Sequence, residues 1–245
     1  MFRTLAAILL CIATMMDARA AIFTFEFTGT IRSLYDSTVG LTDQAIDPLG
    51  TALLRDSAFH GTFSIDSDTA LTAKEELSPN MTLREYQSGA INNTVQYNHM
   101  SVVFDQTGYV ARSGMGPTAS SSIQTLDSRT TEEYGVPLYE FLSFTPAPAI
   151  GAHGREDMYL FVGDETEFMI SSKLPGSLQV TPNSVFNYYF IQSGTGREIG
   201  FEGQLTSLDL RSIALVPEPS TYAMLAFGLL IVGAAARRRI SAREC

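Results

Sequence analysis

Residues 21–30, AIFTFEFTGT, set apolar against polar side chains in strict alternation, with Phe23, Phe25 and Phe27 on one side and Thr24, Glu26 and Thr28 on the other. A period of two is the repeat of an extended strand, so the three rings share one face of a sheet and must be covered by other elements. Similar short runs recur at residues 60–65, 94–104, 158–162, 185–192 and 199–214. Turn-forming stretches separate them, among them Ile46-Asp47-Pro48-Leu49-Gly50, Leu174-Pro175-Gly176 and Ser193-Gly194-Thr195-Gly196. Many short strands and no long amphipathic helix predict an all-β domain, an antiparallel sandwich or jelly roll. The best helix candidate is the short stretch 69–77. Residues 107–136 carry few apolar side chains and read as a long surface excursion.

A core of this kind must hold without covalent help. The two cysteines, Cys11 and Cys245, sit at the extreme ends, so the intervening domain can form no internal disulfide. Roughly 195 residues are enough to bury a core without one. Charge narrows the partners. Between the ends lie ten basic and 23 acidic residues, a net charge of −13 against −10 for the whole chain. A field of that sign repels phosphate backbones, so nucleic acid is excluded as a partner.

The first 20 residues have the anatomy of a secretory signal peptide: Arg3, an apolar run over residues 5–16, and the small-x-small site Ala18-Arg19-Ala20 before Ala21. The apolar run is well below the ~20 residues needed to span a bilayer, which favours a cleaved leader over an anchor. Cys11 follows Leu10 where a lipidated cysteine wants a small residue, so lipidation is rejected.

The other end has three parts. Val216-Pro217-Glu218-Pro219-Ser220 is stiff and averse to helix, because its prolines lack an N–H and bias the preceding residues toward extended geometry. Residues 221–236 are uncharged and predict a helix of about 24 Å, slightly short of a bilayer core. Arg237, Arg238 and Arg239, with Arg243 beyond, form a cationic stop that stays cytoplasmic and leaves the preceding domain outside. The predicted organisation is therefore a leader at 1–20, an exported acidic β-domain at 21–215 and a tail at 216–245.

In its letters and in its order of parts, this tail resembles the PEP-CTERM sorting domain of Gram-negative bacteria. The resemblance implies recognition by an exosortase, an integral-membrane processing enzyme acting near Pro217-Glu218-Pro219, with Val216 to Ser220 as substrate and not catalyst. It also implies transient anchoring with the N-terminus out, then release or re-anchoring at the cell surface or outside it. The opening Phe-Thr-Gly-Thr strand, with Gly61-Thr62-Phe63-Ser64-Ile65-Asp66 and Asp68, is similar to β-rich ectodomains that bear this tail.

No catalytic constellation accompanies these signals. His60, His99 and His153 lack any ligand spacing, and there is neither a Gly-x-Ser-x-Gly elbow nor a cysteine in the exported part. The one chemical hint is calcium. Asp66 and Asp68, and Asp164, Glu165 and Glu167, put hard oxygen ligands at two strand ends, though neither set completes a known calcium loop. The expectation is a non-enzymatic cell-surface or matrix protein, without cofactor unless calcium binds. Its partners are the secretion machinery, an exosortase, the membrane and exopolysaccharide. A polysaccharide hydrolase using two carboxylates, or a calcium-dependent carbohydrate-binding module, are the alternatives.

Overall fold

The computed structural model describes residues 19–47, 52–78, 81–88, 98–114, 120–128, 140–164, 174 and 178–217. The alternation that opens the sequence becomes the long first strand, β1 (Arg19–Asp36). Phe25 and Phe27 are buried and Glu26 and Thr28 exposed, as a period of two requires. The remaining strands are β2 (Gly40–Thr42), β3 (Ala58–Asp66), β4 (Ala70–Ser78), β5 (Met81–Ser88), β6 (His99–Phe104) and β7 (Tyr109–Arg112). There follow β8 (Ser121–Ser128), β9 (Glu140–Thr145), β10 (Ala149–Ile150), β11 (Gly154–Asp164), β12 (Val185–Gln192) and β13 (Glu198–Pro217). The described residues are all-β and contain no helix.

All the strands join one sheet in the order β4-β5-β8-β9-β11-β12-β13-β1-β3-β6-β7, with β10 on β11 and β2 on β1. The pairings are antiparallel, for example Phe25 opposite Phe63 between β1 and β3 and Tyr188 opposite Phe201 between β12 and β13. Such a sheet cannot stay flat, because its strands twist and its apolar face must be covered. It folds over until distant strands face each other, in the manner of a sandwich. Phe63 of β3 meets Phe144 of β9 with ring centroids 5.7 Å apart, and Phe104 of β6 meets Tyr188 of β12 at 5.3 Å. The Gly114 N–H beyond β7 donates to the Ala147 carbonyl at 2.7 Å, which ties one sheet edge to the β9–β10 connection.

Aromatic rings fill the space between the layers. Phe59 lies against Phe27, Phe186 and Phe201, with centroids 6.3, 5.3 and 5.8 Å away. Its ring rests where Gly29 and Gly203 leave no side chain, and a Cβ at either position would overlap it. Glycine is needed at both because the ring packs directly on the strand backbones. This interior supplies the stability that small domains otherwise take from disulfides.

Two sequence expectations are corrected. Residues 69–77 do not form a helix; from Ala70 on they belong to β4, paired through Lys74 opposite Arg84 and Glu75 opposite Leu83. Ala, Leu, Lys and Glu favour helix locally, and cross-strand pairing with β5 overrides them. Residues 107–136 are not one surface excursion, since they contain β7 and β8. The low apolar density of β8 has a physical source: Thr125 and Asp127 are buried polar residues between β5 and β9.

By contacts, residues 22–213 form one compact unit, while residues 1–21 and 214–245 group together in a second.

Candidate functional site

The last strand leads into the tail. β13 is 20 residues long, and in its outer half every described side chain from Asp209 to Leu215 is exposed. Pairing with β1 holds it extended: Arg211 Nη1 meets Glu26 Oε1 at 2.5 Å, and the Thr28 hydroxyl lies 2.9 Å from that of Thr206 and 2.7 Å from that of Ser207. The strand ends at Val216 and Pro217, and proline suits the last rung because it has no N–H to give a ladder. Ala20 and Ala21, the expected leader cleavage junction, fall at the start of β1. Since the two strands run antiparallel, the chain enters β1 and leaves β13 at the same end of the pair.

Residues 215–239 match the family described as PEP-CTERM protein-sorting motif. The chain carries a PEP-CTERM tail. The match begins at Leu215, within β13. Val216 and Pro217 lie within the described residues; Glu218, Pro219, Ser220 and the arginines Arg237, Arg238 and Arg239 lie outside them, as does Ala18. The apolar stretch 221–236 is also outside, and among the described residues no helix is long and apolar enough to cross a membrane. No curated protein and no solved structure matches the chain.

The β-domain ahead of this tail scatters the other sequence candidates. Asp66 and Asp68 do share a turn, but the Asp66 carboxylate accepts the Asp68 N–H at 3.0 Å and so closes the turn locally. The Asp66 N–H donates to Asn98 Oδ1 at 2.7 Å, and Thr69 Oγ1 donates to the Asp66 carbonyl at 2.7 Å. Burial raises the Asp66 pKa. Asp164 ends β11, on a different strand, and Glu165 and Glu167 lie outside the described residues. Among the described residues, no group of three or more His, Cys, Asp or Glu side chains converges as a metal site would require. The histidines also stay apart. His60 of β3 bonds Asp105 at 2.5 Å, His99 lies on β6, and His153 precedes β11.

What the structure does bring together was not singled out from the sequence. Tyr109 of β7 donates its hydroxyl to Glu156 Oε1 of β11 at 2.5 Å, across the gap between the facing layers. Glu156 Oε2 and the hydroxyl of fully buried Tyr188 are enclosed and have no hydrogen-bond partner among the described residues. Burial raises the pKa of Glu156 and of both phenols, because each charged form would lose its hydration. The cluster therefore favours the neutral carboxylic acid. Alternation could have revealed it: Met158, Leu160 and Val162 point inward, and the same parity carries Glu156 to that face.

Two ion pairs fix other parts of the sheet. Asp36 binds Arg197 through the guanidinium and the Thr38 N–H and hydroxyl, and these donors, Arg197 first, hold its carboxyl well below the usual carboxylate range. Arg84 of β5 meets Asp127 of β8 at 3.3 Å, with both side chains about nine-tenths buried.

Proposed function

We propose that this protein is a non-enzymatic component of the cell surface or extracellular matrix, displayed on its tail and processed by an exosortase. The observation that carries this reading is the sorting-motif match at residues 215–239, which begins on the last residues of the final strand. A leader at the start of β1 and a sorting signal at the end of β13 would put both processing events at one end of the domain. In this reading residues 221–236 anchor the chain for a time and the arginines stop it at the cytoplasmic face. The acidic sandwich-type domain contributes to the envelope or to exopolysaccharide. Its partners are the secretion machinery, the processing enzyme and the membrane.

The direct test fuses residues 216–245 to a secreted reporter and follows its size and fractionation. The fusion should be shortened and leave the inner-membrane fraction in cells with the exosortase, and stay full-length and membrane-bound in cells without it. Identical handling in both would overturn the sorting reading.

A further inference from the structure

Outside the sheet's core, β1, β2, β13 and the turn before β3 enclose an open depression of about 420 Å³, lined by Arg32, Leu41, Thr42, Asp43, Arg55 and Glu202 among others. Its chemistry is mixed in a particular way. Arg55 Nη1 pairs with Asp43 Oδ1 at 3.2 Å, at a site open to solvent, where such a pair is readily exchanged. Arg32 has no partner among the described residues, although the chain carries a net charge of −10 and acids outnumber bases in it. A free guanidinium on so acidic a protein is a specific charge and not part of a general basic surface.

The turn that presents Arg55 is held in place with unusual backbone geometry. Asp56 has φ of 64°, the one positive φ at a non-glycine position among the described residues. Its N–H donates to the Ile31 carbonyl at 2.8 Å, and the Ile31 N–H donates to the Ser57 carbonyl at 2.9 Å. These two bonds clamp the turn beside Arg32 and hold Asp56 in a conformation that costs energy away from glycine. Leu41, at 77 % exposure, supplies an apolar surface on the rim that the fold leaves uncovered.

We infer that this depression binds an acidic saccharide, with the ligand carboxylate on Arg32 and Arg55. A plain polyanion would meet Asp43 and Glu202, and a plain cation would meet the two arginines. A saccharide bearing one carboxylate per ring amid several hydroxyls satisfies both, because guanidinium forks fit carboxylates and carboxylates accept hydroxyl donors. Thr42 can exchange a further hydroxyl bond, and the C–H face of the sugar ring lies against Leu41. The site deepens the surface-protein reading and rests on it for where the ligand is met; the binding itself does not depend on processing of the tail.

Titration calorimetry of the full chain in detergent micelles tests this, using tri-galacturonate, maltotriose and a triglutamate peptide. Tri-galacturonate should bind, about ten-fold or more tightly than either of the others, and weaken with added salt. Arg32→Gln should weaken it at least ten-fold without moving the thermal midpoint, and Arg32→Lys, which keeps the charge and loses the fork, by less. Arg55→Gln should weaken it as well. Absence of tri-galacturonate binding, or Arg32→Gln affinity equal to that of the parent, overturns the proposal. Equal affinity for triglutamate overturns it too, in favour of an acidic peptide. Because binding is read in the test tube and sorting in cells, failure of one leaves the other standing.

Discussion

Replacing Phe59 by alanine removes the ring that joins four strands of the sheet. Phe59 is 1 % exposed and touches Phe27, Phe186 and Phe201. Truncation of a buried phenylalanine costs about 3–5 kcal/mol, more where the surroundings cannot collapse into the space left. Here two walls of the cavity are the backbones at Gly29 and Gly203, held in ladder pairing and unable to move inward. About 4 kcal/mol is therefore expected. For a domain of roughly 200 residues, at about 2–4 °C per kcal/mol, the thermal midpoint falls by about 8–16 °C. Urea unfolding followed by far-ultraviolet circular dichroism should show a lower midpoint with an unchanged slope. Gly203→Ala should also destabilise, since its methyl meets the Phe59 ring, but much less in the Phe59→Ala background, giving a coupling of about 1 kcal/mol or more. A loss below about 1.5 kcal/mol for Phe59→Ala, or additive behaviour of the pair, would refute the packing argument.

Three further outcomes are expected. Glu156 has a raised pKa in the fold, so the stability it contributes is complete below the ordinary glutamate value and is lost as pH rises through the raised value. Glu156→Gln, which mimics the protonated acid, should match the parent near pH 4 and gain on it toward neutrality in pH-dependent melting; a constant difference would contradict this. Asp127→Ala strands Arg84 in a buried site and should cost about 3–5 kcal/mol in urea unfolding, whereas replacing both by apolar residues of similar size should restore most of the loss. Under the processing reading, changing Pro217, Glu218 and Pro219 together to alanine should leave an unprocessed chain in the membrane fraction while the melting of the β-domain stays unchanged.

Much of the strand content could be read from residue pattern, because alternation reports directly which side chains face inward. The run at residues 21–30 became β1 with its rings buried, and the runs at 185–192 and 199–214 became β12 and most of β13. Reading failed where local preference and tertiary pairing disagree. The residues of β4 favour helix and are exposed along the edge of the sheet, so only pairing with β5 identifies them as a strand. β8 buries Thr125 and Asp127, and the partner of Asp127, Arg84, is supplied by neighbouring β5, so the polarity of β8 imitates a loop. Alternation places Glu156 on the inward face but does not name its partner: Tyr109 lies 47 residues away and meets it because the sheet folds over.

The sequence by itself determined the address of this protein. The sorting tail is a contiguous pattern of stiffness, apolarity and charge, and such a signal is read by the membrane and its enzymes as a linear string. It also determined that the exported part is a sheet without disulfides. The tertiary structure alone decided which strands are neighbours, which polar groups are buried, and that Arg32 and Arg55 face one depression. Those are relations between residues far apart in the chain, set by how one long twisted sheet covers its own aromatic face, and no local pattern encodes them.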